Sequence, residues 1–463
     1  MNDRIPTGSR RLDEILHGGL PLNAISLIVG VPGSGKTILS QQVAFRNATT
    51  ERPALFFSTM SEPLDKIVRF GSTLEFFDPK ALQDGRMMYE DLGQVLGEGG
   101  LDDAQAAIDR QLKERRPGIV VIDSVRAFHA LAADLSSFRQ FLHALVRRLT
   151  ASAVTTIWNA PYSRQQAVDT AEFSASDAII GLDIKQIAER ELRVLQVLKL
   201  RGSDFQSGEH MYRVTRAGIE VFPRLADAQI GAGYALSPKP TPTGIAALDD
   251  LLGKGGFWTG ASTLVAGPTG IGKTLMGLHF LYRGAEVGEP GILATFQENL
   301  TQLSRIVSSF GWSIDNPSVH VMSRGLVAMN IDEWVYQLLD LVEKTKAKRI
   351  VIDSLADLMI AAADPVRFRE WVFSVTQRFN REGISLMSII EVPELFQLER
   401  ISEQGVSHLA DNVILLQYVQ RGAELARALT VLKTRAMHHR PVVHSYEIND
   451  QGFVLGDVLS PTP

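Results

Sequence analysis

Apolar residues in the first half of the chain gather into short continuous runs rather than alternating with polar ones. ISLIV (25–29), ALFF (54–57), IVVI (119–122), VTTIW (154–158) and AIIGL (178–182) are such runs, and helical segments separate them. Runs apolar at every position are expected of strands buried on both faces, as in a mainly parallel sheet covered by helices. RVLQV (193–197) and YRVT (212–215) read instead as antiparallel strands closing one edge. The predicted class is α/β, with a mainly parallel, doubly wound sheet.

The pattern then repeats. Residues 6–37, PTGSRRLDEILHGGLPLNAISLIVGVPGSGKT, are answered by 242–274, PTGIAALDDLLGKGGFWTGASTLVAGPTGIGKT. Further along, GIVVIDSV (118–125) is answered by RIVIDSL (349–355), and VLKLR (197–201) by VLKTR (431–435). A period of about 230 residues is a duplicated domain, too long for a solenoid unit. The expected organisation is a first domain over 1–225, a Pro-, Gly- and Ala-rich linker over 226–240, and a second domain over 241–463.

Composition narrows the classes. The chain of 463 residues has 47 Lys+Arg against 52 Asp+Glu and no cysteine. Absent cysteine excludes disulfides, cysteine-ligated zinc, iron–sulfur clusters and thiol nucleophiles. No stretch approaches the ~20 apolar residues of a membrane helix, and the N-terminus lacks an apolar leader, so a cytoplasmic protein is expected.

Each copy carries G-x-x-x-x-G-K-T between an apolar strand and a helix, at Gly30–Thr37 and Gly267–Thr274. Glycines at this spacing let backbone N–H groups curl around phosphates, and the helix N-terminus adds its positive end. Gly33, Ser34, Gly35, Lys36 and Thr37, and likewise Thr269, Gly270, Ile271, Gly272, Lys273 and Thr274, are the expected ATP-contacting residues. The lysines reach β and γ phosphates, and the threonine hydroxyls are offered to Mg²⁺. Asp123 and Asp353 end buried strands, where a carboxylate holds the Mg²⁺ shell through water; alone, such a residue would read as a turn or cap.

Taken in order, the PTG–LD–GG lead-in, phosphate loop, ID-S strand and K-x-R segment resemble KaiC and the RecA-like ATPases around it. The likeness spans about residues 5 to 455 and is strongest over 411–439. It implies two tandem RecA-like domains and a two-tier homohexamer with ATP at subunit interfaces. It also implies that Lys199, Arg201, Lys433 and Arg435 reach the nucleotide of the adjacent subunit. Leu200, Ser203, Thr434 and His439 would contact that nucleotide from the same segments. Cations supplied in trans would neutralise charge developing on the γ-phosphoryl group. A KaiB-like or other signalling protein is the partner expected besides the chain itself.

The family pattern also breaks. Members carry Glu-Glu after the strand that follows the loop helix, and the first is the base or water-positioner. Copy two has Gln297 and Glu298 there. Copy one has Met60 and Ser61, or Ser61 and Glu62 one residue on. Gln orients water but accepts no proton, so Glu62 and Glu298 become the expected bases and slow hydrolysis is predicted. Ser407 matches a phosphorylatable serine of the family, with His408 in place of the adjacent threonine, which leaves serine autokinase activity as an expectation. The chain stops at Pro463, without the tail that KaiA grips, so KaiA-type activation is not expected. Two rivals stay open: a DNA-dependent recombinase or helicase, and a non-hydrolysing ATP-binding scaffold. Segments 160–177 and 392–411 should line a central channel, and both are net acidic, which speaks against nucleic acid.

Overall fold

Continuous apolar runs become the middle strands of one sheet in each half of the chain. In the computed structural model, residues 3–59, 63–167, 170–187, 190–225, 237–252, 255–296, 299–323, 325, 330–362, 364–392, 410–421, 424–435, 441–450 and 452–459 are described. The chain divides into two compact units, Met1–Asp227 and Ala228–Pro463.

In the first unit the strands are β1 (Arg4–Ile5), β2 (Leu20–Pro21), β3 (Ile25–Gly30), β4 (Ala54–Ser58), β5 (Met87–Asp91), β6 (Ile119–Asp123), β7 (Thr155–Ala160), β8 (Ala178–Ile187), β9 (Arg190–Leu200), β10 (His210–Thr215) and β11 (Gly218–Phe222). Nine of them form a sheet ordered β11-β10-β9-β8-β3-β7-β6-β4-β5. From β8 to β5 every neighbouring pair is parallel, whereas β8, β9, β10 and β11 pair antiparallel. Successive side chains point to opposite faces, so the strands feed two cores. Ile28, Phe56, Val121 and Ile180 pack with Leu39 and Val43 of the helix Lys36–Asn47. On the other face Leu27, Phe57, Val120 and Trp158 pack with Ile108 of the helix Gly93–Arg115 and Leu145 of the helix Leu135–Ala151. Both faces are covered, which is why the strand sequences do not alternate.

Strands of the second unit are β12 (Ser237–Thr241), β13 (Phe257–Thr259), β14 (Ser262–Gly267), β15 (Gly291–Thr295), β16 (Val319–Ser323), β17 (Arg349–Asp353), β18 (Ser385–Glu391), β19 (Asn412–Arg421), β20 (Glu424–Thr434), β21 (Val443–Asn449) and β22 (Gly452–Val458). Their main sheet is ordered β16-β15-β17-β18-β14-β19-β20-β21-β22, the topology of the first unit over again. These are two tandem RecA-like α/β folds. Strand β12, Ser237–Thr241, begins inside the stretch read as linker and pairs with β13. That pairing matches β1 on β2 in the first unit, so these residues belong with the second sheet's lead-in. β5 and β11 were not among the expected strands. Met87–Asp91 is an edge strand whose residues are mostly half-buried, so no apolar run marks it.

Candidate active site

Both phosphate loops leave the sheet at the C-terminal end of a central strand, where α/β sheets place their ligands. A Cβ at Gly30 would lie 2.3 Å from the Leu182 carbonyl oxygen, and one at Gly267 would lie 2.5 Å from that of Leu416. Side chains are therefore excluded where the loop passes the next strand. Gly33 and Gly35 have φ of 78° and 93°, and Gly270 and Gly272 have 74° and 107°, the left-handed region that favours glycine. Gly35 and Gly272 are the N-caps of the helices Lys36–Asn47 and Lys273–Glu286, and no side chain bonds across either cap. The first-turn N–H groups and the positive helix end are left facing the loop, as an anion site requires.

Lysine and threonine complete that cradle. Lys36 Nζ donates to the carbonyls of Gly30 (2.9 Å) and Val31 (3.0 Å), and Lys273 Nζ to that of Pro268 (2.7 Å). Burial pushes both ammonium groups below the ordinary lysine range, opposed by Asp123 in the first unit and by Glu391 and Asp353 in the second. Thr37 Oγ1 donates to Asp123 Oδ2 at 2.6 Å, and Thr274 Oγ1 to Asp353 Oδ2 at the same 2.6 Å. The expected pairing of helix-start hydroxyl with strand-end carboxylate is thus present in both units. Its donor set, hard oxygens beside a phosphate cradle, fits Mg²⁺ held jointly with substrate phosphates. Ser34 Oγ adds a buried hydroxyl with no hydrogen-bond partner among the described residues. The peptide bond after each aspartate is cis.

Several groups at the loops escaped the sequence reading. Tyr212 on β10 donates its hydroxyl to the Ser34 carbonyl at 2.6 Å, and Tyr446 on β21 donates to that of Ile271 at 2.5 Å. Burial raises the Tyr212 hydroxyl to about 12 and raises that of Tyr446 as well. Arg193 Nη1 donates to the Gly33 carbonyl at 2.7 Å. Glu391, the last residue of β18, accepts a hydrogen bond from Thr269 Oγ1 of the second loop. Thr59 Oγ1 accepts from the Ser124 N–H at 2.9 Å, bracing the backbone just past Asp123.

The paired cations lie elsewhere. Lys199 is opposite Ile179, which is opposite Leu27, three residues short of Gly30. Lys433 is opposite Val413, which is opposite Leu264, three residues short of Gly267. At ~3.3 Å per residue each lysine is about 10 Å down the sheet from its own loop. Lys199 Nζ donates to the Phe173 carbonyl at 3.1 Å, and Lys433 Nζ to that of Ala410 at 2.6 Å. Arg201 pairs with Asp177 at 3.2 Å and Arg435 with Asp411 at 3.5 Å. A β-bulge precedes both lysines, because Ile179 pairs with Lys199 but Ile180 with Val197, and Val413 with Lys433 but Ile414 with Val431. Leu200 belongs to the buried core, so only its backbone is available to a ligand. Ser203 Oγ donates to the Asp204 carbonyl, and Thr434 ends β20. Glu62, Gln297, Glu298, Ser407 and His439 lie outside the described residues.

Three of the acidic residues in the two segments expected to line a channel are described. Glu172 is buried and accepts the Tyr162 hydroxyl at 3.1 Å; Asp177 accepts from the Ile25 N–H and pairs with Arg201. Asp411 is buried, bonded to Ser262 N and Oγ. These three charges are tied into their own units, while Asp169, Glu394, Glu399 and Glu403 of the same segments lie outside the described residues. Residues 393–409 lie outside the described residues. No helix among the described residues is long and apolar enough to cross a membrane.

Comparison with known proteins agrees with this geometry. The chain is 29% identical over 480 residues to the circadian clock oscillator protein KaiC of Rippkaea orientalis, covering 98% of this chain and 89% of that protein. It is 30% identical over 467 residues to that of Parathermosynechococcus lividus, covering 97% and 85%, and 29% identical over 475 residues to KaiC 1 of Synechocystis, covering 97% and 88%. The KaiC ATPase family model matches twice, over residues 5–226 and 241–458, one match to each sheet and phosphate loop. With two intact phosphate cradles, each closed by its Thr–Asp pair, the chain belongs to the KaiC family of ATPases.

Proposed function

We propose that the chain assembles into a homohexameric ring, binds ATP with Mg²⁺ at both loops, and hydrolyses it slowly as a signalling switch. The observation that carries this reading is the sheet register. Lys199 and Lys433 are set about 10 Å down the sheet and two strands across from their own loops, farther than a side chain spans, yet the same bulge precedes each in both units. Cations so placed are spent in isolation and useful beside another copy's γ-phosphate. In each unit the Gly-rich cradle and lysine would hold the phosphates, and the Thr–Asp pair would hold the metal. The metal supplies charge neutralisation on the phosphoryl oxygens.

Sizing the protein with and without MgATP, alongside phosphate release, tests the reading. Growth to a ring with nucleotide and turnover is expected. Lys36→Ala and Lys273→Ala should each remove one bound nucleotide per chain, and together abolish turnover. A chain that stays monomeric with MgATP would sink the interface model. Rings that hold ATP without releasing phosphate would favour the scaffold, and turnover that requires single-stranded DNA would favour the nucleic-acid motor.

A further inference from the structure

The two ATP sites are not chemically equal, and the difference sits on one strand. In the second sheet β18 lies between β14, which runs into the phosphate loop, and β17, which ends in Asp353. Parallel register sets Asp353 opposite Ile389 and Gly267 opposite Glu391. Glu391 therefore emerges at the mouth between the phosphate cradle and the Thr274–Asp353 pair. Its carboxylate is solvent-exposed and accepts from Thr269, the third residue of the loop. Its charge is also the strongest acidic influence on the Lys273 ammonium, ahead of Asp353.

The matching positions of the first unit carry no such pair. Asp123 is opposite Asn159, so the position matching Glu391 is Pro161, and the loop residue matching Thr269 is Pro32. A hydrogen-bonding pair in one copy is a pair of prolines in the other. Where the family's base is expected the second copy carries Gln297, which accepts no proton.

We propose that Glu391 is the general base of the second ATP site. This rests on the ATPase reading above. Water held by the Glu391 carboxylate attacks the γ-phosphorus, and its proton passes to that carboxylate. The γ-phosphorus–oxygen bond breaks with its electron pair going to the β-phosphate oxygen, giving ADP and inorganic phosphate. The carboxylate then returns its proton to solvent. Thr269 holds the carboxylate at the loop rim, and exposure gives it water.

The test compares phosphate release and nucleotide retention in the full chain and its variants. The share of turnover lost in Lys273→Ala defines the second site. Glu391→Gln keeps the bond to Thr269 and should lose that same share, a fall of about 10²-fold or more at that site, with bound nucleotide unchanged. Glu391→Asp should retain part of the rate, and the acid limb of the second site's pH–rate profile should vanish in Glu391→Gln. Second-site turnover within twofold of the parent in Glu391→Gln would overturn the proposal. So would full loss in Glu298→Gln with none in Glu391→Gln. If Lys273→Ala removes nucleotide but no turnover, the second site hydrolyses nothing and the ATPase reading of that loop falls with its base.

Discussion

At the residue scale, the two loop lysines give opposite pH responses in the free and liganded protein. Burial lowers Lys36 and Lys273 from the ordinary value of 10.5, so just below that pH the folded chain holds fewer protons than the unfolded one. Stability of the nucleotide-free protein should then rise with pH across that window. Nucleotide needs the charged ammonium, so affinity for MgATP should fall across the same window. Denaturant midpoints and binding titrations between pH 8 and about 10.5 would check both slopes. Affinity that stays flat to the upper limit would show that these lysines do not titrate against phosphate. The asymmetry between Glu391 and Pro161 belongs to this scale too. It was illegible in the sequence because Glu391 follows SLMSII as any strand-end residue would, and only register sets it beside the loop.

At the element scale, the edge hairpin is part of each site. β10–β11 and β21–β22 send Tyr212 and Tyr446 to the loop carbonyls, and their apolar residues meet the N-cap glycines. The helices answer with equivalent bonds, Gln42 Oε1 accepting from Ile219 N at 2.7 Å and His279 Nε2 from Phe453 N at 3.1 Å. Tyr212→Phe removes the donor to a buried carbonyl and should cost about 1–2 kcal/mol in denaturant unfolding. It should also weaken ATP binding at the first loop severalfold while leaving the second intact. Equal loss at both loops would mean a general fault rather than local bracing. Central strands were legible because burial on both faces leaves a continuous apolar signature. The bracing was not: YRVT carries an edge-strand pattern, and nothing in it says that its tyrosine reaches a loop far away in sequence.

At the scale of the whole molecule, duplication makes an internal control. Thr–Asp closure, the tyrosine brace, the bulge and the displaced lysine each occur twice, and agreement between copies separates design from accident. The trans assignment yields a mixing experiment. A Lys36→Ala, Lys273→Ala chain retains its K-x-R cations, and an Arg201→Ala, Arg435→Ala chain retains its loops. Each should be nearly inactive alone, and co-assembled chains should recover a substantial part of wild-type phosphate release. Mixtures no more active than their components would place those arginines outside the neighbour's site. Composition could not foretell that assignment, because within each unit the arginines are already paired with Asp177 and Asp411 and look like ordinary surface ion pairs.

The bulge at position 198 bears on how such a chain can vary. Leu195 and Val197 face the core, and so does Leu200, three positions further on instead of two. One supernumerary residue thus inverts the in-and-out rhythm and turns Lys199 away from that core. Strict alternation would turn that cation toward the core that Leu195 and Val197 face and turn the leucine away from it. The segment VLKLR is therefore constrained in length before it is constrained in kind. Residues there can be exchanged for others of similar shape, but removing a single one would leave a well-formed sheet whose cation points the wrong way.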